Sequence, residues 1–219
     1  MRHENPTITR AQQPSSSSVS SSRPGPSAPS PALVVGGTGM LAGVVRGLVA
    51  DGRRTAVVAR SEEALNAPAD GAGPAGEVLP LSADYSDAGR FRAALRRARR
   101  EAGLFRLAAL WVHTPGRETA LPVVAEVLAE DAVVVDVRGS AAADPTRERV
   151  PPPSVLDRAP RDYRPVVLGF TDGPAGPRRL THQEISDGVL AVARAGTRPA
   201  REDFRHWTIG RVRPWHDRP

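Results

Sequence analysis

Three closely spaced glycines mark the stretch of this sequence best suited to bind a phosphate-bearing ligand. Gly36, Gly37 and Gly39 follow the apolar run 32–35 and precede residues 40–49, whose apolar members recur with a helical period. Glycines between a strand and a helix leave room for a pyrophosphate to approach the backbone, and the helix N-terminus supplies N–H donors and a positive dipole. A second apolar run follows the helix, which completes the context of a dinucleotide site. We therefore predict dinucleotide binding here, with a merely tight turn as the alternative.

The residues after the second predicted strand, 55–59, bear on which dinucleotide binds. In such folds an acidic residue at this place accepts hydrogen bonds from the adenosine ribose, whereas an arginine accommodates a 2′-phosphate. Arg60 and Ser61 stand here with no acid between them, which favours NADP(H) over NAD(H). An ordinary exposed arginine is the alternative. Asp84, just past the third predicted strand, is a candidate acceptor for the adenine amine.

Two polar residues stand at the ends of later predicted strands. His113 follows residues 107–112, and Ser140 follows residues 132–137. Ligands of parallel α/β sheets bind beyond the carboxyl ends of the strands, so this placement singles the two residues out.

The elements that must hold these residues alternate between strand and helix. Short apolar runs predict strands at 32–35, 55–59, 78–81, 107–112, 132–137, 166–170 and 207–212. Segments with helical periodicity lie between them, among them 91–102, 121–129 and 181–195. Ser86 or Asp87 fits the N-cap of one of these helices, and Thr181 with Glu184 fits a capping box on another. This alternation predicts an α/β protein with a doubly wound parallel sheet and right-handed crossovers, the Rossmann fold.

The composition predicts one α/β domain preceded by a tail. The chain has 219 residues and no cysteine, which excludes disulfides, thiolate metal sites and cysteine nucleophiles. Residues 1–31 are rich in serine and proline, so we predict a disordered tail there, or a translation start further along the chain. Residues 32–219 then form the NAD(P)-binding domain. No apolar run is long enough to span a membrane and no signal-peptide core is present, which predicts a cytoplasmic protein.

The positive charge of the chain is carried by arginine alone. All 30 basic residues are arginines, and the formal net charge is +6. The lack of lysine, together with many Ala, Gly and Pro, is typical of a GC-rich bacterial genome. A predicted helix concentrates four of the arginines, Arg92, Arg96, Arg99 and Arg100. Because no aromatic residues are interleaved with them, we predict a solvated face rather than a nucleic-acid interface.

Three segments of the N-terminal half resemble the short-chain dehydrogenase/reductase superfamily. They are VVGGTGML at 34–41, VARSEEAL at 58–65 and ADYSD at 83–87. The resemblance implies an NAD(P)-binding Rossmann domain with oxidoreductase activity, forming a homo-oligomer. The family's cofactor positions correspond here to Gly36, Gly37, Thr38, Gly39, Met40, Leu41, Arg60, Ser61 and Asp84.

The second half of the chain departs from the family's catalytic pattern. In the family a tyrosine transfers the proton, a lysine four residues later lowers its pKa, and a serine polarises the carbonyl. Here the only tyrosines are Tyr85 and Tyr163, neither followed by lysine. Ser140 stands where the family's serine falls, so Ser140, Tyr163 and His113 are the candidates for a non-standard proton donor. We predict an NADP(H)-binding oxidoreductase acting on a small carbonyl or alcohol, or alternatively a non-catalytic NADP(H)-binding redox sensor.

Overall fold

The structure, a computed structural model, describes residues 29–66, 76–144, 146, 152–158, 160–196 and 206–219. Residues 1–28 of the predicted disordered tail lie outside this described part of the chain. Residues 67–75, before the third strand, also lie outside it.

A seven-stranded parallel sheet forms the centre of the molecule. Its strands are β1 (Ala32–Val35), β2 (Thr55–Ala59), β3 (Val78–Ser82), β4 (Phe105–Trp111), β5 (Leu128–Arg138), β6 (Asp162–Leu168) and β9 (Trp207–Ile209). They lie in the order β3-β2-β1-β4-β5-β6-β9, and every neighbouring pair is parallel. The predicted doubly wound α/β fold is therefore confirmed. A hairpin that the sequence did not predict, β7 (Phe170–Gly173) with β8 (Gly176–Arg179), follows β6.

Helices cover both faces of the sheet. They are α1 (Ala42–Ala50), α2 (Glu62–Asn66), α3 (Ala88–Ala102), α4 (Arg117–Ala125) and α5 (His182–Arg194). Buried residues of α1 and α5 belong to one apolar core, and those of α3 and α4 belong to the core on the opposite face. All four residues of β1 are fully buried, since both faces of this central strand are covered.

Several predicted boundaries are wrong in the second half. The helix predicted at 121–129 ends at Ala125, because Leu128 already pairs with Phe105 of β4 as the first residue of β5. The strand predicted to begin at residue 166 begins at Asp162, so Tyr163 lies inside β6. The strand predicted at 207–212 ends at Ile209.

One crossover has the opposite hand to the prediction. The connection from β1 to β2 and the connection from β6 to β9 run in opposite directions across the sheet, yet α1 and α5 pack on the same face. The two crossovers therefore have opposite hands, and because βαβ units are right-handed in about 98% of cases, the unit containing α5 is the left-handed one. The prediction of right-handed crossovers throughout is wrong for this unit.

Two glycines of α1 allow α5 to pack closely against it. A Cβ at Gly43 would lie 2.6 Å from the Cβ of Ser186, and one at Gly47 would lie 2.5 Å from Leu190 Cδ1. The absence of these side chains lets the two helices approach closely. Ser186 also donates a hydrogen bond to the carbonyl oxygen of Met40, at 2.9 Å, which ties α5 to the start of α1.

The predicted capping box of α5 is present. The Thr181 hydroxyl accepts a hydrogen bond from the Glu184 backbone N–H at 3.2 Å, and Glu184 in turn accepts one from the Thr181 N–H at 2.8 Å. Glu184 also forms an ion pair with Arg178 of β8. The hydrogen bond from Arg178, followed by the one from the Thr181 backbone, lowers the pKa of Glu184 from its ordinary 4.5 to about 2.

This lowered pKa gives a pH-dependent prediction for Glu184→Gln. A carboxyl group whose pKa is lowered by folding stabilises the native state above its unfolded pKa, and this contribution disappears as the pH falls through the folded value. Glutamine keeps the capping hydrogen bond but cannot titrate. We expect the wild type to melt at a higher temperature than the variant at pH 7, and the difference to shrink between pH 4.5 and about 2. Melting curves of both proteins across this range measure the difference. A difference in melting temperature that does not change with pH would contradict a lowered pKa of Glu184 in the folded protein.

Candidate functional site

The glycine loop after β1 contains two glycines that the fold itself requires. Gly36 has a φ of +81°, and a Cβ on it would lie 3.1 Å from the carbonyl oxygen of Trp111. A Cβ on Gly37 would lie 2.6 Å from Val57 Cγ1. The loop therefore turns sharply and lies directly against β2 and β4. The fold therefore requires glycine at both positions, whether or not a ligand binds.

Gly39 differs from them, because among the described residues no atom beyond its chain neighbours lies within 4 Å of the place that its Cβ would occupy. The next residues lead into α1, whose N-terminus carries no side-chain cap and no acidic residue in its first turn. By contrast, Asp87 caps α3, as predicted, and Thr181 caps α5. Open space beside an uncapped helix N-terminus suits a phosphate group, which accepts hydrogen bonds from the N–H groups and is attracted by the dipole. The loop thus fits the pyrophosphate of a dinucleotide.

The other residues predicted for this loop lie at different depths. Thr38 and Met40 are half-buried, whereas Leu41 is fully buried and packs in the core beneath the loop. The side chain of Leu41 therefore anchors the loop, and only its backbone faces the site.

The structure brings the predicted adenosine-binding residues together. Arg60 and Ser61 follow β2 directly, and Asp84 follows the neighbouring strand β3. Asp84 accepts a hydrogen bond from the Ser86 backbone N–H at 2.8 Å. The hydrogen bonds from Ser86, and more weakly the charge of Arg60, lower the pKa of Asp84. A guanidinium and a carboxylate thus lie near each other at the place where the second and third strands end.

An aromatic pair lies at the end of β4. The exposed His113 ring packs edge to face against Trp111, with ring centroids 5.3 Å apart. The Trp111 side chain extends from Gly36, after β1, towards Gly139, after β5. Its indole therefore spans three strand ends at the point where the strand order reverses. Sequence reasoning missed Trp111, although an aromatic residue closing a buried strand at this point is a usable signal.

Ser140 lies on the next strand end along the sheet. It is half-buried and begins a 3₁₀ turn, Ser140–Ala143, directly after β5 and Gly139. The described residues between β5 and β6 contain this turn and no α-helix. His113 and Ser140 thus lie beyond the ends of adjacent strands, as expected from the sequence.

Tyr163 belongs to a buried polar cluster on the α4 side of the sheet. Its hydroxyl donates a hydrogen bond to the Asp136 carboxylate and accepts one from Arg138 Nη2 at 3.0 Å. Burial and the nearby Asp136 raise the pKa of Tyr163 above its ordinary value, and the opposing effect of Arg138 is smaller. A tyrosine with a raised pKa is a poor base at neutral pH. The geometry therefore favours a structural role for this hydroxyl.

The centre of this cluster is Asp136, whose side chain is fully buried. Arg117, the first residue of α4, donates to its two oxygens at 3.0 and 2.5 Å. Arg138 Nε donates to it at 3.0 Å. Sequence reasoning missed this group, although an aspartate within the otherwise apolar run 132–137 signals a buried partner.

The arginine-rich face of α3 is largely paired within the protein. Arg92 and Arg96 donate to the Glu126 carboxylate at 2.9 and 3.1 Å, and Arg99 donates to the Glu126 carbonyl oxygen at 3.0 Å. The hydrogen bond from Arg92, with a smaller one from Arg96, lowers the pKa of Glu126. These arginines hold α3 to the end of α4.

Comparison with solved structures shows what this architecture resembles. A short-chain dehydrogenase/reductase of Serratia marcescens matches with 20% identity and a TM-score of 0.59, over 83% of this chain and 95% of that one. A short-chain dehydrogenase of Burkholderia cenocepacia in complex with NADP matches with 19% identity and a TM-score of 0.56, over 83% and 96%. A metagenomic short-chain oxidoreductase in complex with NADP matches with 15% identity and a TM-score of 0.55, over 83% and 96%. No protein-family model and no curated protein matches the sequence.

These structures place the chain in a structural class. It has the Rossmann fold of the short-chain dehydrogenases/reductases, which confirms at the level of the fold the resemblance predicted from its sequence. In the described part of the chain, no helix has the length and apolar character needed to cross a membrane.

Proposed function

We propose that the protein binds NADP(H) and acts as an oxidoreductase on a small carbonyl or alcohol. The observation that carries the proposal is the open space at Gly39 beside the uncapped N-terminus of α1, at the point where the strand order reverses. Two solved structures of the same fold are described as complexes with NADP, which supports this choice of ligand.

The residues around this loop have distinct roles in the proposal. The backbone of residues 36–41 binds the pyrophosphate, Arg60 with Ser61 binds the 2′-phosphate, and Asp84 accepts from the adenine amine. The bound nicotinamide supplies or accepts a hydride. His113 and Ser140 flank the site where the substrate oxygen gains or loses its proton, and Trp111 forms its floor.

Replacement of Arg60 tests the proposal directly. A hydrogen bond between charged groups contributes about 1.5–3 kcal/mol, so Arg60→Ala is expected to weaken NADPH binding by about 10- to 100-fold. NADH lacks the 2′-phosphate, and its affinity should change little. Calorimetric titration of the wild type and the variant with NADPH, NADH and ATP measures these affinities.

An exposed arginine elsewhere provides the control. Arg90 lies on the first turn of α3 with a largely exposed side chain and forms an ion pair with Asp87. Arg90→Ala removes the same charge and should leave both affinities unchanged. Wild-type protein that binds neither dinucleotide would refute the proposal, and equal NADPH losses in both variants would refute the role of Arg60.

A second function is favoured by the hydrogen bonds that engage the Tyr163 hydroxyl and by the lack of lysine. The tyrosine hydroxyl is engaged by Asp136 and Arg138, and the family's tyrosine–lysine pair has no counterpart in the sequence. A non-catalytic protein that binds NADP(H) and reports its redox state to a partner needs neither residue. NADPH oxidation that depends on an added carbonyl compound would exclude this alternative. Stoichiometric NADPH binding without turnover of any carbonyl tested would favour it.

A further inference from the structure

The cluster around Asp136 carries one more positive charge than negative. Arg117 and Arg138 both contact the single carboxylate of Asp136, and Tyr163 is neutral. The side chains of the two arginines are only 17% and 16% exposed. Among the described residues, no second carboxylate contacts either guanidinium. A charge held largely out of water without a counter-charge is costly, so this arrangement favours the binding of an anion.

The excess charge lies at the ligand-binding edge of the sheet. Arg138 is the last residue of β5, and Arg117 begins α4 just after the 3₁₀ turn that follows β4. Each lies close in sequence to a proposed proton donor, since His113 precedes Arg117 by one turn and Ser140 follows Arg138 by two residues. The pyrophosphate site proposed above lies on β1, which is separated from β5 by β4. The excess charge is therefore on the substrate side of the dinucleotide.

We propose that Arg117 and Arg138 form a binding site for an anionic group of the substrate. The substrate class is then a carbonyl or alcohol compound that bears a carboxylate or a phosphate, such as an oxo acid, hydroxy acid or ketose phosphate. The inference rests on the proposed function, because it places the reacting carbon of this substrate beside the nicotinamide. Guanidinium groups suit both oxyanions, which they bind through paired N–H donors.

Matched pairs of charged and uncharged probes test this site. Acetoacetate and its methyl ester share the ketone and differ in the charge, and dihydroxyacetone phosphate and dihydroxyacetone form a second pair. Calorimetric titration of the full chain with each probe, in the absence of dinucleotide, gives affinities that do not depend on turnover. We expect the charged member of at least one pair to bind about 10- to 100-fold more tightly than its uncharged partner. The pair that discriminates identifies the oxyanion as carboxylate or phosphate.

Replacement of Arg138 locates the effect. Arg138→Gln removes the excess charge while Asp136 keeps its two hydrogen bonds from Arg117, so the preference for the charged probe should disappear. Arg106→Gln is the matched control, because Arg106 lies near the opposite end of β4 in an ion pair with Asp131 and its side chain is 55% exposed. Its removal changes the net charge equally and should leave the preference intact. If circular dichroism shows that Arg138→Gln does not fold, Arg117→Gln is the second variant. In this variant Arg138 remains paired with Asp136.

Each outcome bears on one proposal. Equal binding of charged and uncharged probes by the wild type overturns the anion site, and so does a preference that survives in a folded Arg138→Gln or Arg117→Gln protein. The affinity for NADPH is measured in a separate titration of the same protein. Failure of NADPH to bind refutes the proposed function. The preference for the charged probe can be observed whether or not NADPH binds.

Discussion

Replacement of Asp136 by alanine is expected to destabilise the protein more than any other single change discussed above. The substitution leaves the guanidinium groups of Arg117 and Arg138 beside each other, largely buried and without a carboxylate. Removal of one partner from a buried ion pair costs about 3–5 kcal/mol, which corresponds to a decrease in Tm of roughly 10 °C for a chain of this size. Urea unfolding and thermal melting followed by circular dichroism measure the change.

The same strand provides a matched control. Asp131 also lies on β5 and also pairs with an arginine, Arg106, but both of these side chains are 55% exposed. Because solvent screens exposed ion pairs, Asp131→Ala should cost only about 0–1 kcal/mol. Tyr163→Phe removes one hydrogen bond to Asp136 and should fall between the two. Equal losses of stability in the two aspartate variants would mean that the cluster around Asp136 is not the buried charge network that its geometry indicates.

The central sheet could be predicted because its strands are buried on both faces. Apart from Thr55, the runs that form β1 and β2 are apolar, and they are followed by glycine or a charged residue, so both the type and the position of these strands follow from the pattern. The proximity of Arg60 and Asp84 also followed, since adjacent parallel strands end at the same edge of the sheet. The cytoplasmic location and bacterial origin stay predictions.

Features that depend on contacts distant in the chain could not be predicted. The crossover through α5 places that helix against α1, where Gly43 and Gly47, far earlier in the sequence, permit the close approach of Ser186 and Leu190. Local periodicity cannot report such a contact. The start of β6 was placed too late because Arg164 and Pro165 interrupt its apolar pattern. Arg164 is nevertheless buried, where it pairs with Asp162 and donates to main-chain carbonyl oxygens at the end of α5.

The Asp136 cluster shows the same limitation within the site. An aspartate within an apolar strand indicates that a partner exists, but the sequence does not show that Arg117, Arg138 and Tyr163 are the partners. Tyr163 was singled out for proton transfer because the family uses a tyrosine. Its engagement by Asp136 became visible only when β5 and β6 were placed side by side.

Replacement of Gly39 by alanine is expected to weaken dinucleotide binding while leaving the fold intact. Apart from its chain neighbours, no atom of the described part of the chain lies within 4 Å of the new Cβ, and Gly39 lacks a positive φ, so alanine fits the free protein without strain. In the complex the same methyl group would occupy the space through which the pyrophosphate approaches the backbone. Overpacking of a close contact costs about 1–3 kcal/mol, so NADPH affinity should fall by about 5- to 150-fold.

Gly196 is the matched control for this experiment. It follows α5, also has no described atom within 4 Å of the place that a Cβ would occupy, and also lacks a positive φ. Gly196→Ala should therefore change neither the melting temperature nor the affinity for NADPH. Gly37→Ala completes the set, because its Cβ would lie 2.6 Å from Val57 Cγ1 and should lower stability itself. If Gly39→Ala bound NADPH as tightly as the wild type, the phosphates would not contact this loop, and the space at Gly39 would be a property of the turn alone.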